Sequence, residues 1–192
     1  MDTRMQCFQM LRNYTPVFLD TETTGLDSTA EIVEISIIDF FGNILVNTLV
    51  KPTGLISPLA TAVHGITYET VKDAPTWPQV LPAVEQALAG KLGVIYNLDY
   101  DIRLMFQSCA PWKITPSPNF GAVGFFCAMK EYRHWVQSYD NMKKGNRWIK
   151  LEKAAEREGI TMSGAHRSLD DCYTTLNVVR SVMHKINFGV IG

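Results

Sequence analysis

The chain has 192 residues, of which 46 % are hydrophobic and 19 % are charged, the balance of an ordinary soluble globular protein. This length is enough for one domain with its own core, so we expect residues 1–192 to form a single domain. The formal net charge of −1 excludes an overall positive field that would attract a polyanion, although an acidic site can mask a local basic patch in the total.

The cysteines and the apolar segments limit the class of protein further. The four cysteines are widely spaced and include no Cys-x-x-Cys pair: Cys7, Cys109, Cys127 and Cys172. This spacing fits neither a zinc site nor a dense disulfide framework, and it favours reduced thiols. We expect no signal peptide, because the first twenty residues include Asp2, Arg4 and Arg12. Since no apolar run approaches a membrane span, we expect a soluble cytoplasmic protein.

Three apolar, β-branched runs open the predicted fold. Residues 15–20 (TPVFLD) predict a buried strand that ends at an acid. Residues 31–40 (EIVEISIIDF) and 43–50 (NILVNTLV) predict two more strands, joined by a short turn at Phe41 and Gly42. Because no helical pattern separates the three runs, the sequence predicts an antiparallel meander rather than βαβ units.

The rest of the chain alternates between helices and short strands. Residues 80–90 (VLPAVEQALAG) predict a helix closed by Gly90, in which Pro82 fits only near the first turn. Farther along, the patterns predict strands at 92–96 and 125–129 and helices at 101–108, 130–137, 149–158 and 168–185. The whole pattern predicts an α/β fold with a central mixed sheet, an antiparallel meander followed by parallel strands, flanked by helices.

Asp20 and Glu22 stand at the C-terminal end of the first predicted strand. Residues two apart on a strand point to the same side, so both carboxylates face one point. They repel each other and lose solvation unless a cation lies between them. Mg²⁺ is the natural candidate, because it is a hard ion bound by carboxylate oxygens and water. The alternative is that Asp20 caps the turn at 23–25 and that Glu22 is solvated.

A second acid follows the strand predicted at 92–96. Asp101 lies in the first turn of a helix, where acids are favoured by the helix dipole alone, and Asp99 is an equal candidate. If the strands at 15–20 and 92–96 are parallel neighbours, their C-terminal ends adjoin and bring this acid towards Asp20.

The final helix contributes a third group. His166 lies just ahead of that helix, where it could act as a general base or be an ordinary exposed histidine at a helix start. Asp170 and Asp171 both fall in the first turn, and the apolar periodicity does not separate them.

Four segments match, in order, the motifs of one family: FLDTETTGL at 18–26, VHGIT at 63–67, NLDYD at 97–101 and HRSLDD at 166–171. Together they resemble the DnaQ-like, DEDDh-type 3′→5′ exonucleases of the RNase H-like superfamily. The family spacing selects Asp101 over Asp99 and Asp171 over Asp170. The chain departs from the family at Tyr96, where members often have His, and at Tyr100, where they commonly have Phe.

The resemblance implies a five-stranded RNase H-like sheet and a hydrolase that trims the 3′ end of nucleic acid, releasing nucleoside 5′-monophosphates. Single-stranded DNA is the favoured substrate and RNA the other option. The implied metal ligands, for two Mg²⁺ (or Mn²⁺) ions about 4 Å apart, are Asp20, Glu22, Asp101 and Asp171. His166 is implied as the general base. The residues implied to hold the terminal nucleotide are Thr23, Leu26, His64, Asn97 and Tyr100. Some relatives are homodimers, so a monomer or a homodimer is expected.

Residues 130–153 interleave basic side chains with aromatic rings. This pattern suits a single-stranded substrate, and a solvated helix–loop–helix with buried Trp anchors explains it equally well. Two other functions compete with a nuclease. LDTETT also resembles the Asp-x-Asp-x-Thr of haloacid-dehalogenase-type phosphatases, although Glu22 replaces the second Asp. The second rival is an inactive nucleic-acid-binding module on the same fold.

Overall fold

The computed structural model describes residue 8 and residues 11–139, 148–162 and 166–188. Its strands are β1 (Pro16–Thr23), β2 (Ile32–Asp39), β3 (Ile44–Leu49), β4 (Leu92–Ile95) and β5 (Gly124–Cys127). They form one five-stranded sheet in the order β3-β2-β1-β4-β5. The predicted α/β fold with a mixed central sheet is confirmed.

The sheet has an antiparallel part and a parallel part, which meet at β1. β1, β2 and β3 pair antiparallel as a meander, whereas β4 and β5 join the other edge of β1 in parallel. The turn between β2 and β3 is closed by Asp39, whose carboxylate accepts hydrogen bonds from the backbone of Phe41 and Asn43. β1 and β4 are parallel neighbours, so their C-terminal ends adjoin, which was the condition for Asp101 to approach Asp20.

Seven helices have both of their ends within the described residues: α1 (Pro58–His64), α2 (Tyr68–Val71), α3 (Trp77–Leu88), α4 (Leu98–Cys109), α5 (Ala128–Tyr139), α6 (Leu151–Glu158) and α7 (Ser168–Phe188). Two 3₁₀ turns lie at Ala110–Trp112 and Pro118–Gly121. Helices α1 and α2 were not predicted, because seven and four residues are too few to display a helical period. The motif at 63–67 therefore begins at the end of a helix.

Helix α3 begins earlier than the predicted range 80–90. The backbone N–H of Thr76 donates to Oε1 of Gln79 at 2.8 Å, which caps the helix start, and the Trp77 ring is buried. Pro82 consequently lies inside α3 rather than in its first turn. The expectation for Pro82 was wrong by about a turn, and its missing N–H removes one backbone hydrogen bond near the N-terminus.

The two faces of the sheet carry separate cores. Val17 and Leu19 of β1 pack with α3 and α4, and Phe18 packs on the opposite face with α5, α6 and α7. Asp20 and Glu22 continue the series of Phe18, because side chains alternate along a strand. They therefore emerge on the face that α7 covers.

Helix α7 is fixed to the centre of the sheet by Cys172. Its thiol lies 3.4 Å from the backbone oxygens of Phe18 and Ser36. Among the described cysteines, Cys109, Cys127 and Cys172 are all buried and free of disulfides. No described helix has the length and apolar character needed to cross a membrane; the cytoplasmic location stays a prediction.

Candidate active site

Three of the predicted acids converge at the C-terminal end of β1. Each of Asp20, Glu22 and Asp171 offers a carboxylate oxygen, and these oxygens all lie within 4.8 Å of one another. The first two come from alternate positions of β1, and the third comes from the first turn of α7. Residues separated by about 150 positions of sequence therefore share one small volume.

Burial and mutual repulsion raise the pKa values of this group. Desolvation, with the charge of Asp171 next in importance, raises the pKa of Glu22 to about 8. Desolvation raises the pKa of Asp171 to about 6. The pKa of Asp20 is raised well above its usual range by burial, followed by the nearby charges of other acids. The group offers only carboxylate oxygens, so it fits a hard divalent cation such as Mg²⁺ or Mn²⁺.

Asp101 lies beside this group rather than within it. It is 3 % exposed, and its Oδ1 accepts a hydrogen bond of 2.8 Å from the hydroxyl of Thr21. Desolvation raises the pKa of Asp101 to about 7. Its charge is nevertheless the largest charge contribution to the raised pKa of Asp20. The fourth acid is thus electrostatically part of the site, although its oxygens fall outside the 4.8 Å group of the described residues.

The two competing acids lie elsewhere. Asp99 is exposed and forms an ion pair of 2.7 Å with Lys130 on the surface. Asp170 does not belong to the carboxylate group that contains Asp171. The structure therefore separates Asp101 from Asp99 by burial and Asp171 from Asp170 by membership of the carboxylate group. Local sequence patterns did not separate them.

His166 precedes α7 in a left-handed backbone conformation, with φ of 63°. Its backbone hydrogen-bonds the carboxylate of Asp171, and its positive charge, when present, lowers the pKa of that group. A left-handed conformation is unfavourable for residues other than glycine, so neighbouring contacts have to hold it. His166 is placed beside the acidic group; its role as a general base stays a prediction.

His64 packs behind the end of β1. Its ring is buried, and Nδ1 accepts a hydrogen bond of 3.0 Å from the backbone N–H of Ile66. The proton therefore sits on Nε2, which donates to the carbonyl of Thr23 at 3.0 Å. Burial lowers the pKa of His64 and keeps the ring neutral. In this structure the ring braces the segment after β1 through the main chain, and its predicted contact with a nucleotide stays a prediction.

The other predicted nucleotide contacts lie at the same edge of the sheet. The hydroxyls of Thr23 and Tyr100 are 2.8 Å apart, and both reach the carbonyl of Gly25, at 2.9 and 3.2 Å. Leu26 is 80 % exposed, and Asn97 is exposed at the start of α4. The substitution of Tyr for Phe at position 100 thus adds a hydroxyl that is already used within the protein.

Glu34 is a residue of this region that the sequence prediction did not include. It stands opposite Glu22 in the pairing of β1 with β2, it is buried, and Arg167 and Ser168 donate hydrogen bonds to it. Burial raises the pKa of Glu34, whereas the hydrogen bonds from Arg167 and Ser168 lower it. The net effect is a lowered pKa. A signal was present, because a lone acid interrupts the apolar run of β2.

The basic and aromatic segment at 130–153 is only partly described. The Arg133 guanidinium lies over the ring of Trp148, 4.8 Å from its centroid, and that ring is 51 % exposed. Lys143, Lys144 and Arg147 lie outside the described residues. One cation–aromatic pair is thus in place, and the role of the segment as a whole stays a prediction.

Comparisons of sequence identify related proteins. A family model described as exonuclease, RNase T, matches residues 17–179. The chain is 46 % identical over 169 residues to "Uncharacterized exonuclease CP81" of Escherichia phage 186, covering 85 % of both proteins. It is 31 % identical over 173 residues to "Exodeoxyribonuclease 10" of Escherichia coli (strain K12), covering 86 % of this chain and 67 % of the relative.

A solved structure agrees with these relatives. The structure titled "Exonuclease X in complex with 5′ overhanging duplex DNA" matches with a TM-score of 0.64 and 27 % identity, covering 88 % of this chain and 92 % of the other. The similarities confirm the RNase H-like fold and the family resemblance. They leave no support for a haloacid-dehalogenase-type phosphatase, whose parallel sheet the antiparallel meander also excludes.

Proposed function

This chain belongs to the RNase T family of exonucleases, and we propose that it removes nucleotides one at a time from the 3′ end of nucleic acid, releasing nucleoside 5′-monophosphates. The family depends on divalent metal ions. The observation that carries the proposal is the group of three carboxylates with oxygens within 4.8 Å of one another. Such crowded acids are stable only with protons or cations bound between them.

The proposed ligands of two Mg²⁺ or Mn²⁺ ions are Asp20, Glu22, Asp101 and Asp171, of which Asp101 lies beside the group formed by the other three. Their support is the all-oxygen donor set and the raised pKa values, which indicate negative charge that is not compensated by the protein itself. When bound, such ions compensate the charge of the phosphate and lower the pKa of the attacking water. The hydroxyl of Thr21 holds the carboxylate of Asp101 in place at the edge of this site.

His166 is the proposed general base, which accepts a proton from the attacking water. Its support is its position beside Asp171, whose carboxylate accepts a hydrogen bond from the His166 backbone. The segment that carries it is anchored immediately afterwards by the buried start of α7. A base held in this way needs little rearrangement during the reaction.

The proposed substrate is DNA, with single strands preferred. One relative is named an exodeoxyribonuclease, and the similar solved structure is a complex with duplex DNA bearing a 5′ overhang. The exposed Trp148 ring with Arg133 stacked on it is the kind of pair that binds single-stranded bases. The nucleotide contacts proposed at the sheet edge are Thr23, Leu26, His64, Asn97 and Tyr100. Residues 1–192 are proposed to form one exonuclease domain, since both cores pack on a single sheet.

A time course on labelled oligonucleotides tests this function. With Mg²⁺, single-stranded DNA labelled at its 5′ end is expected to give a ladder, and the same strand labelled at its 3′ end is expected to release labelled mononucleotide from the start. Duplex DNA and RNA of the same sequence establish the preference. Asp20→Asn, which keeps the size of the side chain, and EDTA are the controls.

The outcomes of that experiment are distinct. Loss of the 5′ label first would contradict the polarity, and internal cuts would contradict exonuclease action. Activity that persists in Asp20→Asn or in EDTA would contradict the metal site. Binding without any cleavage would instead indicate an inactive nucleic-acid-binding module on this fold.

A further inference from the structure

One buried carboxylate lies behind the acidic group without belonging to it. Glu34 is 3 % exposed and stands directly opposite Glu22 in the pairing of β1 with β2. It is not one of the three described acids whose oxygens lie within 4.8 Å of one another. A carboxylate at this depth is strongly unfavourable unless charged or hydrogen-bonding partners compensate it. The identity of those partners therefore indicates what Glu34 does.

The partners of Glu34 are two consecutive residues of the segment that carries His166. The guanidinium of Arg167 donates from Nε to both carboxylate oxygens at 3.1 Å, and from Nη2 to Oε1. Ser168 donates its backbone N–H to Oε2 at 2.9 Å and its hydroxyl to the same oxygen at 3.1 Å. Both oxygens of Glu34 are occupied by these donors, and a metal ion would have to displace them.

Ser168 is also tied to the next residue on the same face of β2. Its hydroxyl lies 2.7 Å from that of Ser36, and Ser36 stands opposite Asp20 in the strand pairing. Ser168 is fully buried and is the first residue of α7. The start of α7 is thus docked on the two β2 residues that neighbour Asp20 and Glu22.

His166 comes immediately before the docked pair Arg167 and Ser168. Its backbone is left-handed, with φ of 63°, a conformation that is unfavourable for residues other than glycine and has to be held by neighbouring contacts. We propose that Glu34 is a positioning residue, which holds His166 in place for the reaction by clamping Arg167 and Ser168. The inference rests on the proposed role of His166 as the general base.

A double-mutant cycle on single-stranded DNA tests the clamp. Glu34→Gln keeps the shape of the side chain but removes its charge and one of its two acceptor oxygens. Alone, it is expected to lower kcat by about 10- to 100-fold with little change in KM, because small displacements of a catalytic group have effects of that size. In the His166→Ala background, Glu34→Gln is expected to change kcat by less than about 2-fold, since no base remains to be positioned.

Glu31→Gln is the matched control. Glu31 is 4 % exposed, and its carboxylate accepts hydrogen bonds from Thr53 and Gly54, so it is an equally buried anchor of a different segment. Any effect of Glu31→Gln on kcat is expected to be the same with and without His166. This control separates a general loss of rigidity from an effect that passes through His166.

Two further measurements separate positioning from metal binding. The NMR resonances of the ¹³C-labelled His166 ring are expected to shift in Glu34→Gln and to stay in place in Glu31→Gln. The Mg²⁺ concentration that gives half of the thermal stabilisation is expected to change by less than about 3-fold in Glu34→Gln, because the three clustered acids are kept.

Equal effects of Glu34→Gln in both backgrounds, or an unmoved His166 resonance, would overturn the clamp. A large change in the Mg²⁺ dependence would assign Glu34 to the metal site and overturn it as well. If His166→Ala itself leaves kcat unchanged, the proposed general base fails and the clamp fails with it. Failure of the general base can be distinguished from failure of the clamp alone, because it is seen in the single variant His166→Ala.

Discussion

The hydroxyl of Thr21 donates a hydrogen bond of 2.8 Å to Oδ1 of Asp101, across 80 positions of the sequence. The bond joins β1, which carries Asp20 and Glu22, to the first turn of α4. Thr21 points to the opposite face of the sheet from its two acidic neighbours, because side chains alternate along a strand. The fourth acid is therefore fixed to the same strand that presents the first two.

Thr21→Val is expected to lower the free energy of unfolding by about 1–3 kcal/mol, because it leaves the buried Asp101 carboxylate without this donor. It is also expected to raise the pKa of Asp101, since the Thr21 bond acts to lower it. Urea denaturation of the metal-free protein measures the stability change. Thr21→Ser, which keeps the hydroxyl, is the control, and equal losses in both variants would contradict the assigned bond.

Asp101→Asn is expected to reduce nuclease activity at least about 100-fold, because it removes one of the negative charges that balance the positive charge of the bound metal ions. Asp99→Asn is the matched substitution two residues away. It breaks only the exposed ion pair with Lys130, which solvent screens, and it is expected to leave nuclease activity nearly unchanged. A larger loss in Asp99→Asn than in Asp101→Asn, measured on the same oligonucleotide, would reverse the assignment.

The limits of prediction at this site have a physical cause. Strand alternation is a local rule, so Asp20 and Glu22 could be placed on one side of β1 from the sequence alone. The choice of Asp171 over Asp170 depends on how α7 docks on the sheet through Cys172, a contact between distant segments. Local periodicity carries no information on such a contact, so only the motif spacing of the family could select Asp171.

Asp171→Asn is expected to stabilise the metal-free protein while it abolishes activity. Burial raises the pKa of Asp171 to about 6, so the negative charge that Asp171 still carries at about pH 7 lowers the stability of the folded state relative to the unfolded chain. A neutral amide removes that cost, with an expected gain of about 1 kcal/mol. Thermal unfolding in EDTA measures the gain. The further rise in melting temperature that Mg²⁺ gives the wild type is expected to shrink.

An unchanged or lower melting temperature of Asp171→Asn in EDTA would contradict this account of the acidic group. So would an Mg²⁺-dependent rise equal to that of the wild type. Asp170→Asn serves as the comparison, because Asp171 belongs to the carboxylate group and Asp170 does not.

His64→Gln is expected to destabilise the protein at pH 7 by about 1–2 kcal/mol, because the backbone N–H of Ile66 loses its acceptor on the ring. The folded-state pKa of His64 is lowered by burial, so below about pH 6.5 the unfolded chain binds a proton that the folded state does not. The wild type loses stability there and the variant does not. The difference between the two is therefore expected to shrink from pH 7 to pH 5 in urea titrations; a growing difference would contradict the neutral, buried ring.

The meander and the long helices could be predicted from the sequence, whereas the short helices and the role of Glu34 could not. The β-branched runs of the meander and the long helix α7 are repetitive enough for their periods to be recognised. Helices α1 and α2 depend instead on contacts at their ends, such as the hydroxyl of Ser57 that accepts from the N–H of Ala60. Glu34 interrupts the apolar run of β2, but its role could not be predicted locally, because its partner Arg167 lies 133 positions away.

The most direct test of the metal site counts Mn²⁺ ions bound per chain by calorimetry in the presence of a nucleoside 5′-monophosphate. We expect about two ions for the wild type, the same number for Asp99→Asn, and a loss of at least one ion for Asp20→Asn. Binding of no ion by the wild type, or of the same number by Asp20→Asn, would contradict the assignment of the acids at the end of β1.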